Sequence, residues 1–95
     1  MGYVEEKDMI NLTILYDEIN IRVSRNRTIR EVEAIIQEEY GRRYHTSDVD
    51  DYIYNIYSKK QNRRIYDSFI DNNNKDLPLS FYGTENGDEV EWWSS

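Results

Sequence analysis

His45 is the only histidine of the chain, and Asp48, Asp50 and Asp51 follow it closely. An imidazole beside carboxylates is the residue set of a general base or of a metal site. One imidazole without a cysteine or a second histidine seldom completes such a site, so an exposed loop histidine is the expectation. The Asp48-Asp50-Asp51 run has the look of a calcium loop, but the turn glycine and the distal bidentate glutamate are missing. A solvated acidic loop accounts for it. Asn86-Gly87-Asp88 could hold a cation, yet a tight turn explains it fully. The chain has no cysteine, which removes thiol nucleophiles, thiolate metal sites and disulfides together. No nucleophile elbow, phosphate loop, dinucleotide fingerprint or paired-histidine zinc motif is present. The residues therefore predict no enzyme, no cofactor and no metal.

Charge narrows the partners. The 95 residues carry a formal charge of −7, which argues against general affinity for nucleic acid. Two local basic groups, Arg22-Arg25-Arg27-Arg30 and Lys59-Lys60-Arg63-Arg64, stand within this acidic background. Each reads as solvated surface, although a local patch can still select a partner. No apolar run is long enough to span a membrane. The start, Met1 to Asp8, is acidic and lacks an apolar stretch, so it does not read as a signal peptide. A cytoplasmic protein is expected, with residues 1–8 as a flexible tail and 9–93 as one domain.

The elements follow from periodicity. Ile10, Leu12, Ile14 and Tyr16 alternate with Asn11, Thr13 and Leu15, which predicts a half-buried strand. Asp17-Glu18 makes a tight turn, and Ile19, Ile21 and Val23 continue in a second strand with Asn20 and Arg22 outward. Thr28 and Glu31 form a capping box. Behind it, Ile29, Val32 and Ile36 recur at helical spacing, and Gly41 is placed to end the helix in a left-handed turn. Residues 52–58 read as a third strand. Asn55 is its one clearly polar member, so it is placed outward with Ile53 and Tyr57, leaving Tyr54 and Ile56 inward. Residues 64–67 suit a short edge strand, 71–76 a loop without pattern, and 77–83 a short helical turn. Residues 89–93 close as a strand with Val90 and Trp92 on one face. The expected core is Ile10, Leu12, Ile14, Ile21, Val23, Ile29, Val32, Ile36, Tyr54, Ile56, Leu79, Val90 and Trp92.

This order of elements resembles the ubiquitin-like β-grasp superfamily over residues 9–93. The capped helix from Thr28 to Gly41 is similar to the ubiquitin helix. Leu79-Ser80-Phe81-Tyr82-Gly83 is similar to the late ubiquitin loop, and Asn86-Gly87-Asp88 before a strand to the ending of many ubiquitin-like domains. Thr84 departs from that pattern, where an aliphatic residue is usual. The resemblance implies an α+β fold: a mixed four- to five-stranded sheet packed on one helix. The chain ends Glu91-Trp92-Trp93-Ser94-Ser95 rather than in a diglycine, so conjugation through its end is not expected. Length and ending are similar to the small YukD/EsaB family of bacterial type VII secretion systems. That implies an accessory or regulatory protein partner of a membrane-associated complex, without membrane insertion.

If Val90 and Trp92 face the core, Trp93 faces outward. Its neighbours would then be Leu15, Ile53 and Tyr57, rimmed by Arg22, Asn55 and Glu91. Contiguous exposed aromatics mark interaction surfaces, so Leu15, Arg22, Ile53, Tyr57 and Trp93 are the candidate partner-binding residues. The alternative from another class is a phage-encoded acidic inhibitor that mimics nucleic acid. Such a protein needs carboxylates spaced along one continuous face.

Overall fold

A computed structural model of the chain describes residues 6–44, 51–71 and 74–93. Strands β1 (Met9–Leu15) and β2 (Ile19–Ser24) form a hairpin, followed by helix α1 (Ile29–Tyr44). Then come β3 (Tyr52–Ser58), β4 (Arg63–Asp67), the one-turn helix α2 (Ser68–Asp71), a 3-10 turn over Leu79–Tyr82, and β5 (Glu89–Trp93). The sheet order is β2-β1-β5-β3-β4. β5 lies in the middle, parallel to β1 and antiparallel to β3. Within the span expected to be a loose tail, Glu6–Asp8 form a 3-10 turn, with Glu6 paired to Arg22 and Asp8 to Arg25. Residues 1–5 lie outside the described residues, as do His45, Asp48 and Asp50.

Cross-strand register explains which side chains face α1. Ile10↔Val23, Leu12↔Ile21 and Ile14↔Ile19 pair across the hairpin, Ile14↔Val90 joins β1 to β5, and Val90↔Ile56 joins β5 to β3. All are buried with Ile29, Val32, Ile36 and Leu79 in one core. Trp92 belongs to that core and stacks on Tyr40 of α1, ring centroids 5.9 Å apart.

The helix starts where its cap requires. The Glu31 backbone N–H donates to Thr28 Oγ1 (3.1 Å), and the Thr28 N–H donates to Glu31 Oε1 (3.0 Å). That second bond is the main reason the Glu31 carboxyl is held below the usual glutamate range. Two more N-terminal amides are satisfied by a later loop: Ile29 donates to the Leu77 carbonyl and Arg30 to that of Lys75. Gly41 does not end the helix. Three further residues stay helical, and Arg42 and Arg43 there pair with Glu38 and Glu39 one turn back. Such pairs, with positive charge near the helix C-terminus, favour continuation.

Strand β3 departs from simple alternation. Ile53 pairs with Trp92 but Asn55 pairs with Glu91, so Tyr54 is an extra residue opposite β5. This β-bulge reverses the facing on one side of it. Ile56 stays inward and Asn55 outward, as expected. Ile53 is turned into the core at 0% exposure, and Tyr54 leaves the core for the outer face. The expected places of Ile53 and Tyr54 are thus exchanged. Pairing of β3 with β4 reaches only Asn55↔Asp67, and the Ile53 N–H donates to Glu33 Oε2 of α1 instead (3.1 Å). Lys75 neutralises the same carboxylate oxygen at 3.3 Å. A second shift, between Ile56 and Tyr57, lets β4 bury both Ile65 and Tyr66. Tyr16, expected to face inward with Ile14, is exposed instead because it leaves the strand for the β1–β2 turn.

Trp92→Ala is expected to cost about 3–5 kcal/mol, read from urea unfolding. Glu33→Ala strips the Ile53 amide and Lys75 of their partner and should cost roughly 1–3 kcal/mol. Glu33→Gln, which keeps an acceptor, should recover more than half of that loss in the same assay.

Candidate functional site

The face of the sheet away from α1 is built by the other register set. Thr13↔Glu89, Leu15↔Glu91, Asn55↔Glu91, Tyr57↔Glu89 and Tyr57↔Arg64 place these residues side by side across β1, β5, β3 and β4. Leu15, Tyr57 and Trp93, three of the five candidate residues, lie on this face. Ile53 does not, because the bulge turns it into the core beside its strand partner Trp92. Arg22 is on the same face but opposite Asn11, toward the other end of β1 from Leu15, and it is engaged by Glu6. It therefore does not rim the patch.

Tyr54 takes the place that Ile53 vacates. Its ring lies 6.1 Å from Trp93 on one side and 6.1 Å edge-on from Phe69 on the other. Tyr52 also approaches Trp93, at 6.4 Å. Trp93 is 50% exposed, Phe69 79% and Ile70 81%. Sequence reasoning missed Tyr54, Phe69 and Ile70. A usable signal was present: Phe69-Ile70 is an apolar pair flanked by polar Ser68 and Asp71, with no periodic stripe to join. Helix α2 holds this pair by reciprocal bonds. Asp67 Oδ1 accepts from the Phe69 N–H (2.8 Å), and Asp71 Oδ2 accepts from the Asp67 N–H (3.1 Å). The aromatic strip is thus carried by a strand bulge and a capped turn, both anchored by backbone hydrogen bonds. Phe81 is exposed as well, but it packs edge-on against Tyr82 rather than on this strip.

The polar part of the face centres on Glu91. Its Oε2 accepts from the Tyr16 hydroxyl (2.8 Å) and its Oε1 from Asn55 Nδ2 (2.7 Å). The bond to Glu91 holds the Tyr16 phenol above the usual tyrosine range. Asn55 is 3% exposed, so its amide is committed to this bond. Two shallow depressions share Leu15 and Glu91. One, of about 290 Å³, is completed by Asn55, Tyr57, Arg64 and Glu89. The other, of about 340 Å³, is completed by Tyr16, Asp17, Tyr40, Trp92 and Trp93. Among the described residues no cluster of histidine and carboxylate side chains could hold a metal ion, and no helix is long and apolar enough to cross a membrane.

The Asn86-Gly87-Asp88 segment is accounted for by structure. Gly87 takes a positive φ of 91°, the region open to glycine. Asn86 Oδ1 accepts from the Asn11 N–H, and the buried Asp88 carboxylate accepts from the backbone amides of Lys59 and Glu85. Thr84, the departure noted in the sequence, is buried at 2% exposure, with Oγ1 lacking a hydrogen-bond partner.

No protein-family model matches the chain, and no curated protein matches it. Among solved structures it is similar to the C-terminal ubiquitin-like domain of mouse tubulin-specific chaperone e. The TM-score is 0.54 at 17% sequence identity, over 92% of this chain and 87% of that one. A likeness at that identity is one of fold. Together with a mixed five-stranded sheet crossed by one main helix, it shows that this chain has the ubiquitin-like β-grasp fold.

Proposed function

We propose that this protein is a non-catalytic interaction module that docks a protein partner on the outer face of its sheet. The observation that carries this reading is the strip Trp93–Tyr54–Phe69, continued by Ile70, displayed where no element of the described fold covers it. Solvent-facing tryptophan, tyrosine and phenylalanine in contact with one another cost free energy in an isolated protein and return it when a partner excludes water. Leu15 and Tyr57 extend the strip toward β1 and β4.

The distribution of charge supports docking over mimicry of nucleic acid. A mimic needs an unbroken row of carboxylates. Here acids and bases interleave: Glu31 with Arg27, Asp76 with Arg30, Glu38 and Glu39 with Arg42 and Arg43, Glu85 with Lys60 and Glu89 with Lys59. The first basic group is thereby spent on intramolecular pairs. In its finer form, the proposal makes the module an accessory of a bacterial type VII secretion machine. Support for that form is the resemblance in length and in the Asn86-Gly87-Asp88 ending, and co-elution with a secretion ATPase is its test.

Tyr54→Ala with Phe69→Ala is expected to lower capture of the partner bound by the wild-type protein about tenfold or more, with the thermal midpoint nearly unchanged. Ala34→Gln on the exposed side of α1 should leave capture intact. Undiminished capture by the Tyr54/Phe69 variant would remove the outer face as the docking surface.

A further inference from the structure

The depression bounded by Leu15, Tyr16, Asp17, Tyr40, Glu91 and Trp93 has a composition that the strip beside it lacks. Aromatic rings form its walls, and two carboxylates, Asp17 and Glu91, stand at its lining. Among the described residues neither carboxylate forms an ion pair, whereas most acids on α1 do. Its volume of about 340 Å³ gives room for one long side chain. Aromatic faces joined to carboxylates attract a cation, by the ring quadrupole and by charge. Lysine and arginine both carry that charge, and the geometry of Glu91 separates them.

A carboxylate offers two acceptor sites on each oxygen. At Glu91 one site on Oε2 is taken by the Tyr16 hydroxyl and one on Oε1 by the Asn55 amide. These bonds fix the carboxylate plane and leave one acceptor site on each oxygen. A guanidinium fork can take one such site on each oxygen, and its planar face also stacks on tyrosine and tryptophan. A lysine ammonium is a point charge and gains less from either feature.

We propose that this pocket receives an arginine side chain of the protein partner, held by Glu91 in bidentate fashion, flanked by Tyr16 and Trp93, and drawn in by Asp17. This rests on the reading of the outer face as a docking surface and supplies its register: the aromatic strip provides contact area, and the pocket reads one residue. Asn55 is a positioning residue that acts through Glu91, and Tyr16 both orients Glu91 and walls the pocket. The net charge of −7 adds a long-range attraction for a basic partner but does not favour arginine over lysine. Arg64 lines the neighbouring depression and not this one, so the guanidinium of a partner does not compete with it for the same space.

The test uses blocked tripeptides, acetyl-Gly-Arg-Gly-amide against its citrulline, lysine and norleucine counterparts, titrated into the full chain at about 0.15 M salt, where distant charges are screened. Citrulline keeps the shape of arginine and removes the charge. Proton NMR reads the Trp93 indole and Tyr16 ring signals. The arginine peptide is expected to shift both and to bind about tenfold more tightly than the citrulline peptide, the scale of a charge-assisted bidentate contact. Glu91→Gln should remove most of that preference, Asp17→Asn a smaller part, and Tyr16→Phe, which keeps the ring and frees the carboxylate, should weaken arginine more than lysine. Equal binding of citrulline, a preference undiminished in Glu91→Gln, shifts scattered over the α1 carboxylates, or no shift at millimolar peptide would each overturn the pocket. Lysine binding as tightly as arginine would overturn the bidentate assignment. Ala34→Gln, on the exposed side of α1, should bind the arginine peptide as wild type does; the peptide titration reads the pocket, and partner capture by Tyr54→Ala with Phe69→Ala reads the strip, so the two succeed or fail separately.

Discussion

One extra residue in β3 decides what each face of this protein presents. With Tyr54 unpaired opposite β5, Ile53 and Ile56 both reach the core although three positions separate them. Strict alternation would allow only one of the two. The bulge carries a backbone cost, because the Ile53 amide has no strand partner on the β4 side. Glu33 meets that cost from α1, and Lys75 keeps its carboxylate neutralised. Helix, bulge and loop are therefore coupled through one carboxylate. The same bulge ejects Tyr54 onto the outer face, where it bridges Trp93 and Phe69. The requirement for a filled core and the display of the aromatic strip are two consequences of a single insertion.

The remaining connections hold the covering elements on the inner side. The segment after α2 returns to the start of α1, where carbonyls of Lys75 and Leu77 satisfy helix amides and Leu79 N–H and Ser80 N–H donate back to Arg27 and Arg25. Asp88 then ties the entrance of β5 to Lys59 and Glu85. Each of these bonds draws chain toward the helix end of the molecule or the sheet rim. None crosses the outer face. Among the described residues the outer face is left open in this way, and Leu15, Tyr57, Glu91 and Trp93 stand on it in fixed register because their strands are paired.

Most of the fold was legible because its signals were local or periodic. The capping box at Thr28 and Glu31, the alternation in β1 and β2, and the glycine turn at Gly87 each report on a handful of adjacent residues. The bulge was not legible, because it is a decision between two strands. Ile53, Tyr54, Ile56 and Tyr57 are all apolar enough for either face, and it is the register against β5, Ile53 opposite Trp92 and Asn55 opposite Glu91, that puts Ile53 inward. The site inherited that error: Trp93, Leu15 and Tyr57 stand where expected, while Ile53 gave way to Tyr54. Arg22 was misjudged for a different reason. Facing was right, but its distance along β1 and its pairing with Glu6 depend on register and on a turn in the supposed tail. Gly41 shows the converse limit, since a residue that can terminate a helix need not do so when Arg42 and Arg43 find acids one turn back.

As the docking surface proposed above, the outer face would divide its work between two kinds of contact. Phe69, Tyr54 and Trp93 form a continuous apolar run whose burial yields free energy in proportion to area and discriminates little between partners. Glu91, fixed by two neutral donors, is the opposite: it adds little until a matching cation arrives, and a wrong group there leaves a carboxylate desolvated without compensation. Trp93 belongs to both, with one side toward Tyr54 and the other lining the depression beside Glu91. On that proposal, adhesion and discrimination meet at one side chain in the central strand. The position is a consequence of topology. β5 is the strand inserted between β1 and β3, so its outward residues Glu91 and Trp93 lie between the bulge of β3 and the turn after β1.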